Sequence, residues 1–148
     1  MVELRSFTVY DAEALFKTAC FGNSIEDVIA LLSQWENKSY NGKYFEMLGV
    51  VYNGEIVGTV SLFEHSPSVI SIGPEIFDSH RRKGYAKSAM SLACDIAKER
   101  GYKIVSQQIR VNNTASIALH IALGFETGGH VFTNSKGNKI AIYLKSLN

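Results

Sequence analysis

Apolar residues change their spacing along the chain in a way that separates helices from strands. Val2 and Leu4 alternate with polar neighbours and lead to the ring pair Phe7/Tyr10, which predicts a short strand over 2–7. Asp11 can then cap a helix whose apolar face is Ala12, Leu15, Phe16 and Ala19. Ser24 followed by Asp27 resembles a helix start, and Ile25, Val28, Ile29, Leu32 and Trp35 recur at helical spacing up to the polar stretch 36–41.

From Tyr44 the period shortens. The runs 47–52 and 56–63 are rich in strand formers and flank Asn53-Gly54-Glu55, and Asn-Gly is the strongest short hairpin signal because both turn residues take positive φ in a type I′ turn. A third run, 69–77, carries Gly73-Pro74 in its middle. Proline cannot donate to a ladder, so this strand is expected to be bulged or splayed there. Ala86, Ala89/Met90, Ala93 and Ile96/Ala97 then mark a long helix over 84–100, ended by Gly101. A strand over 104–111, a short helix over 116–123 closed by Gly124, and strands over 126–133 and 139–147 joined by a turn at 135–138 complete the chain. The order β-α-α-β-β-β-α-β-α-β-β is that of a mixed sheet with helices on its faces, an α/β or α+β layer architecture.

Composition narrows the function classes. The chain has 148 residues, 46% of them hydrophobic, with 15 Lys+Arg against 14 Asp+Glu, so one domain over 1–148 with an ordinary core is expected. The near-neutral balance disfavours disorder and gives only a small electrostatic footprint for a nucleic-acid partner. Any anion site must be local. The apolar stretch 56–63, broken by Gly58, Thr59 and Ser61, is far short of the roughly 18 residues a membrane helix needs, so no membrane partner is expected. Glu3 and Arg5 interrupt the start of the chain, which lacks the apolar region of an export signal. Cys20 and Cys94 are not in CxxC spacing and read as two buried thiols of a reducing compartment, so the expected location is cytoplasmic. No His/Cys/Asp/Glu cluster has ligand spacing, and no metal is expected.

The most informative stretch is Asp78-Ser-His-Arg-Arg-Lys-Gly-Tyr-Ala-Lys87, a strand end that passes through three cations and a glycine into a long helix. A helix start offers unpaired N–H groups and a positive dipole end. Arg81, Arg82, Lys83 and Lys87, with Gly84, Tyr85 and Ala86 supplying approachable backbone, make a candidate pyrophosphate cradle. A solvated basic turn is the plainer reading. Neither GxxxxGK[ST] nor GxGxxG is present, which argues against a nucleoside triphosphate or a dinucleotide held by those loops.

Arg81-Arg82-Lys83-Gly84-Tyr85-Ala86 resembles the R/Q-x-x-G-x-G/A signature of the GNAT superfamily of N-acetyltransferases. About thirty residues on, the run from Asn113 through Ser116, His120 and Gly124 to Phe125 resembles that family's second signature, N-x-x-A-x-x-L-Y-x-x-x-G-F. The element order matches the family fold along nearly the whole chain. The resemblance implies a mostly antiparallel sheet of about seven strands with about four helices on both faces, in which a bulged motif strand splays from its parallel neighbour to admit the pantetheine arm of acetyl-CoA. It further implies that a backbone N–H near Ile76 polarises the thioester carbonyl.

The implied reaction is direct attack of a neutral primary amine on acetyl-CoA in a ternary complex, with loss of the CoA thiolate. A thiol titrates near ~8.5 and an alkylammonium near ~10.4, so a base matters more than an acid. Family members often carry a tyrosine acid at the position of His120. Here an imidazole either donates in its place or only hydrogen-bonds the helix. Asn113 either orients ligand amides or caps its helix. Glu75, in the motif strand, is the candidate base, and His65 could relay a proton through water; His80 and His130 read as surface or packing residues. The acceptor is expected to enter beside Trp35, Tyr40, Tyr44 and Phe45, where aromatic rings suit an apolar or cationic amine on a small molecule or a protein. The alternative is an acyl-CoA-binding module without catalysis. Monomer and homodimer are equally open.

Overall fold

The computed structural model describes residues 1–19 and 22–148; Cys20 lies outside them. β1 (Glu3–Ser6) leads through a 3-10 turn at Val9–Asp11 into α1 (Ala12–Ala19). Asp11 caps this turn rather than α1 itself. Its carboxylate accepts the Thr8 N–H at 2.8 Å and two N–H bonds from Arg5, each at 2.9 Å. The Arg5 guanidinium thereby holds the Asp11 carboxyl below the ordinary carboxylate range. α2 (Ile25–Trp35) begins where Ser24 predicts, with the Asp27 N–H donating to Ser24 Oγ at 3.2 Å. Val28 and Leu32 are buried, whereas Ile25 and Ile29 are exposed, so only part of the predicted stripe is covered.

The strands that follow are β2 (Ser39–Tyr40), β3 (Lys43–Tyr52), β4 (Glu55–Ser66) and β5 (Val69–Ile76); then come α3 (Tyr85–Glu99), β6 (Ile104–Arg110), α4 (Thr114–Ala122), β7 (Glu126–Thr133) and β8 (Lys139–Ser146). The sheet order is β1-β3-β4-β5-β6-β8-β7, with the two-residue β2 paired to β3. β2 falls in a polar stretch with no alternation to betray it. Every pairing is antiparallel except β5 with β6. Asn53 at φ 50° and Gly54 at φ 79° make the β3–β4 turn with both central residues left-handed, as Asn-Gly predicts.

Helices cover both faces. On one, α3 sets Ala89, Met90, Ala93 and Ala97 against Val60, Leu62, Ile70, Ile72 and Val105. On the other, Ala12, Leu15, Val28 and Leu32 of α1 and α2 pack with Phe7 and Phe77. Each fully buried branched side chain contributes about 1.5–3 kcal/mol. Cys94 is buried on the inner face of α3, and burial pushes its thiol up to about 11, so it carries no thiolate chemistry. No helix among the described residues is long and apolar enough to cross a membrane.

One of the rings expected on the acceptor side lies elsewhere. Tyr44 faces α3 rather than the acceptor side: it stacks on Tyr102 at 6.1 Å, its hydroxyl donates to Glu46, and the Arg100 guanidinium lies 4.3 Å from its ring centroid. The motif strand is splayed from β6 at Gly73-Pro74 as expected, while its ladder with β4 runs unbroken through both residues and shifts register between Glu64 and Ser66. Strand alternation gives the reason. The Ile72 N–H donates toward β6 and the Phe77 N–H donates to the Val57 carbonyl on β4, so the Pro74 nitrogen faces β6, where no ladder bond exists to lose. Gly58 keeps this strand close: a Cβ there would lie 2.3 Å from the Glu75 carbonyl oxygen and 2.9 Å from the Ile76 Cα.

Candidate active site

β5 and β6 part by steps. Backbone pairing joins Val69 to Ile104 and Ile70 to Val105, and goes no further. One residue on, the Ser71 hydroxyl donates to the Ser106 carbonyl at 2.5 Å. At the next, the Ile72 N–H donates to Gln107 Oε1 at 2.9 Å and Gln107 Nε2 donates to the Ile72 carbonyl at 2.5 Å. The bridge lengthens from nothing, to a hydroxyl, to a whole amide side chain. Beyond Gln107 the strands enclose one arm of a cleft of about 1190 Å³ that also runs along the first turn of α3.

At the far end of the cleft stands the basic loop. Gly84 takes φ 80° as the N-cap of α3, and no side chain caps the helix, whereas Ser24 caps α2 and Asn113 caps α4. The first α3 amide to turn back is that of Ser88, which donates to the Gly84 carbonyl at 3.3 Å. The N–H groups of the first turn, beside Arg82 and Lys87, thus face a space that suits a phosphate. A Cβ at Gly84 would meet nothing within 4 Å, so backbone is approachable there.

The three cations differ in place. Arg81 donates to the Ile76 carbonyl at 2.9 Å and pairs with Asp78 at 3.1 Å, bracing the loop against the end of β5. Arg82, at φ 64°, is a non-glycine residue in the left-handed region. Lys83 is exposed and does not line the cleft. Tyr85 turns its ring onto Tyr52 at 5.0 Å, leaving its backbone and Ala86 in the cradle. His80 lines the cleft rim and lies 3.5 Å from Glu55 of the hairpin turn, while His130 sits exposed on β7. Alternation points the Ile76 N–H and the Pro74 carbonyl into the gap.

Asn113 caps α4, its Oδ1 accepting the Ser116 N–H at 3.1 Å, and also lines the cleft. His120 is only 4% exposed. Its Nδ1–H donates to the Ser116 carbonyl at 2.7 Å, and its Nε2 lies 3.3 Å from Gln107 Nε2. Gln107 presents its NH₂ on that side because its oxygen is taken by the Ile72 N–H, so Nε2 of His120 is an acceptor. Burial pushes the imidazole pKa down, which keeps the ring neutral. The donor role expected of it needs the protonated ring that burial disfavours.

On the opposite sheet face Glu75 is exposed, pairs in register with Thr59, and is the one acid among the described residues that lines the cleft. His65, exposed at the end of β4, lies with its Nε2 2.6 Å from Ser71 Oγ. The Ser71 proton goes to Ser106, so His65 donates. Nearby, Trp35, Tyr40, Phe45 and Phe63 surround a smaller hollow of about 270 Å³, and Phe63 is shared with the main cleft. Among the described residues no group of three or more His, Cys, Asp and Glu could hold a metal. Gln107 escaped the sequence reading; a polar residue between Val105 and Ile109, at an inward position of an alternating strand, was its signal.

The family model described as acetyltransferase (GNAT) family matches residues 8–125. No curated protein matches the chain in sequence. Among solved structures, the microcin C7 self-immunity acetyltransferase MccE, in complex with acetyl-CoA and AMP, superposes with a TM-score of 0.82 at 22% identity over 98% of this chain and 92% of that one. An acetyltransferase from Salmonella typhimurium that modifies the N-terminal serine of ribosomal protein L7/L12 gives 0.80 at 17% identity over 99% and 95%. The putative acetyltransferase yncA from Salmonella typhimurium with acetyl-CoA gives 0.74 at 18% identity over 100% and 95%. These likenesses establish a shared fold.

Proposed function

The chain belongs to the acetyltransferase (GNAT) family, and from that premise we propose that it moves an acetyl group from acetyl-CoA to a primary amine by direct attack within a ternary complex. The observation that carries this reading is the uncapped first turn of α3, beside Arg82 and Lys87, opening at one end of a cleft that runs into the β5–β6 gap. Those amides and cations suit the pyrophosphate. The Ile76 N–H and the Pro74 carbonyl offer the pantetheine arm a donor and an acceptor, which sets the thioester further along β5, toward Ile72. Arg81 lines the cleft as well and holds the loop on β5.

Acetyl-CoA, when bound, supplies the activated acyl group; the chain must take a proton from the acceptor's ammonium so that the neutral amine attacks. Glu75 is assigned as the base, on the sheet face away from α3, with His65 able to pass a proton through water. His120 is assigned to hold Gln107 rather than to protonate the thiolate, which leaves tolerably unaided at neutral pH. The hollow bounded by Trp35, Tyr40, Phe45 and Phe63 is assigned to the acceptor side. The structural neighbours include one that modifies a protein N-terminal serine and one in complex with AMP, which favours an acceptor panel spanning both protein and small-molecule amines.

The test is titration of acetyl-CoA by calorimetry, followed by thiol release with amines that include a peptide N-terminus, lysine and aminated small molecules. Saturable binding with amine-dependent release supports the enzyme. Binding without release across the panel supports the non-catalytic acyl-CoA module instead.

A further inference from the structure

We propose that Gln107 is a specificity-determining residue: its side-chain amide closes the inner end of the β5–β6 gap and restricts the enzyme to short acyl groups. The proposal rests on the acyl-CoA reading of the cleft. Two residues beyond the last backbone pair, Ile70 with Val105, strand register would set Ile72 opposite Gln107. The strands are by then too far apart to pair, and the Gln107 amide stands in for the missing peptide group, accepting from the Ile72 N–H and donating to the Ile72 carbonyl. Its second N–H points to the His120 imidazole, which is held in turn by the Ser116 carbonyl.

This network admits one orientation of the amide. A flip would set Gln107 Oε1 against the Ile72 carbonyl and against the lone pair on His120 Nε2. Gln107 and His120 are both buried, yet both line the cleft together with Ser71, Ile72 and Ser106. They therefore form a wall that a ligand meets.

An arm entering from the α3 end runs along β5 from Ile76 toward Ile72, about 13 Å at strand rise. It finds the Ile76 N–H and the Pro74 carbonyl open, but both polar groups of Ile72 already taken by Gln107. The acyl terminus thus reaches a closed end made of Gln107 and His120. An acetyl group stops short of it. A longer chain must displace the Gln107 amide, stranding the N–H and carbonyl of Ile72 and the acceptor nitrogen of His120 in a buried place, where unpaired polar groups are costly. Rejection thus comes from what the longer chain would break, a stronger discriminator than lost packing.

The experiment titrates acetyl-, butanoyl- and hexanoyl-CoA into the wild-type protein and into Gln107→Ala, and follows exchange of the Ile72 amide proton by NMR in both. We expect the wild-type Kd to rise about tenfold or more from acetyl- to hexanoyl-CoA. In Gln107→Ala that ratio should fall toward one as the Ile72 amide loses protection. Equal wild-type affinity for all three ligands overturns the proposal without needing any variant. An unchanged ratio in Gln107→Ala with an unprotected Ile72 amide overturns it as well. If the alanine variant does not fold, Gln107→Asn, too short to reach both Ile72 and His120, is read in the same way. No binding of acetyl-CoA to the wild type refutes the acyl-CoA reading itself, an outcome distinct from acetyl-CoA binding without length selection.

Discussion

Arg81 donates from its Nε to the carbonyl of Ile76 at 2.9 Å, so the first cation of the basic loop is spent on the loop's own geometry. With the Asp78 pair it fastens the turn to the last residue of β5. Arg81→Ala is expected to lower stability by about 1 kcal/mol and weaken acetyl-CoA binding through a displaced loop. Arg82→Ala should weaken binding about tenfold through the lost charge, with less effect on melting. Lys83→Ala should have the smallest effect of the three on affinity. Calorimetric titration beside thermal unfolding separates them, and equal losses of affinity from all three would contradict the distinct placements.

Gly84 joins the loop to α3 at φ 80° with open space around it. Gly84→Glu sets a bulky anion where the phosphates are proposed to lie, and should raise the acetyl-CoA Kd beyond the measurable range. The left-handed backbone adds a folding cost of about 1 kcal/mol, which a melting curve reads separately. A folded variant with wild-type affinity would remove the pyrophosphate assignment.

His120 makes stability depend on pH with a definite sign. Its folded pKa is held below the ordinary value of 6.5 by burial, so the unfolded chain binds the proton more readily. The contribution is fully present above that ordinary value and is lost as pH falls from there toward the lower folded pKa. Denaturant midpoints should therefore drop on acidification through this window, and the drop should be smaller in His120→Gln. Equal slopes in the two proteins would mean that the imidazole titrates as it does in water.

Gly58→Ala probes how β5 is held. The new methyl would lie against the Glu75 carbonyl and the Ile76 Cα, both backbone, so the strand must shift. Overpacking of this kind costs about 1–3 kcal/mol. Because the shifted residues border the gap, acetyl-CoA affinity should fall together with the melting temperature. Loss of stability without loss of affinity would separate β5 placement from binding.

Glu75→Gln removes the proposed base while keeping its size. A fall in kcat on the order of a hundredfold is expected at neutral pH, with partial recovery as pH rises and the amine deprotonates in solution. A pH–rate profile checks this. An unaltered profile would pass the role to another group.

Much of this molecule was legible in one dimension because the signals were local. Ser24 and Asn53-Gly54 mark a cap and a turn through their own backbone preferences, and period alone separates α3 from β6. The two motifs around Gly84 and Asn113 identified the family, since a helix start flanked by cations carries its chemistry in consecutive residues. Tyr44 misled because its ring alone does not tell which sheet face it occupies. Pro74 pointed to the splay from β6 but not to the unbroken β4 ladder, because its lost N–H matters only on the side where a neighbouring strand stands, and that side depends on β4 and β6 together. Composition and order thus determined the layers, the basic loop and the family. The tertiary structure alone decided that Arg81 donates to the Ile76 carbonyl, that His120 accepts rather than donates toward Gln107, and that Gln107 bridges to both polar groups of Ile72. Each of those facts is a hydrogen bond between side chains and strands brought together only by folding, and no spacing along the chain encodes it.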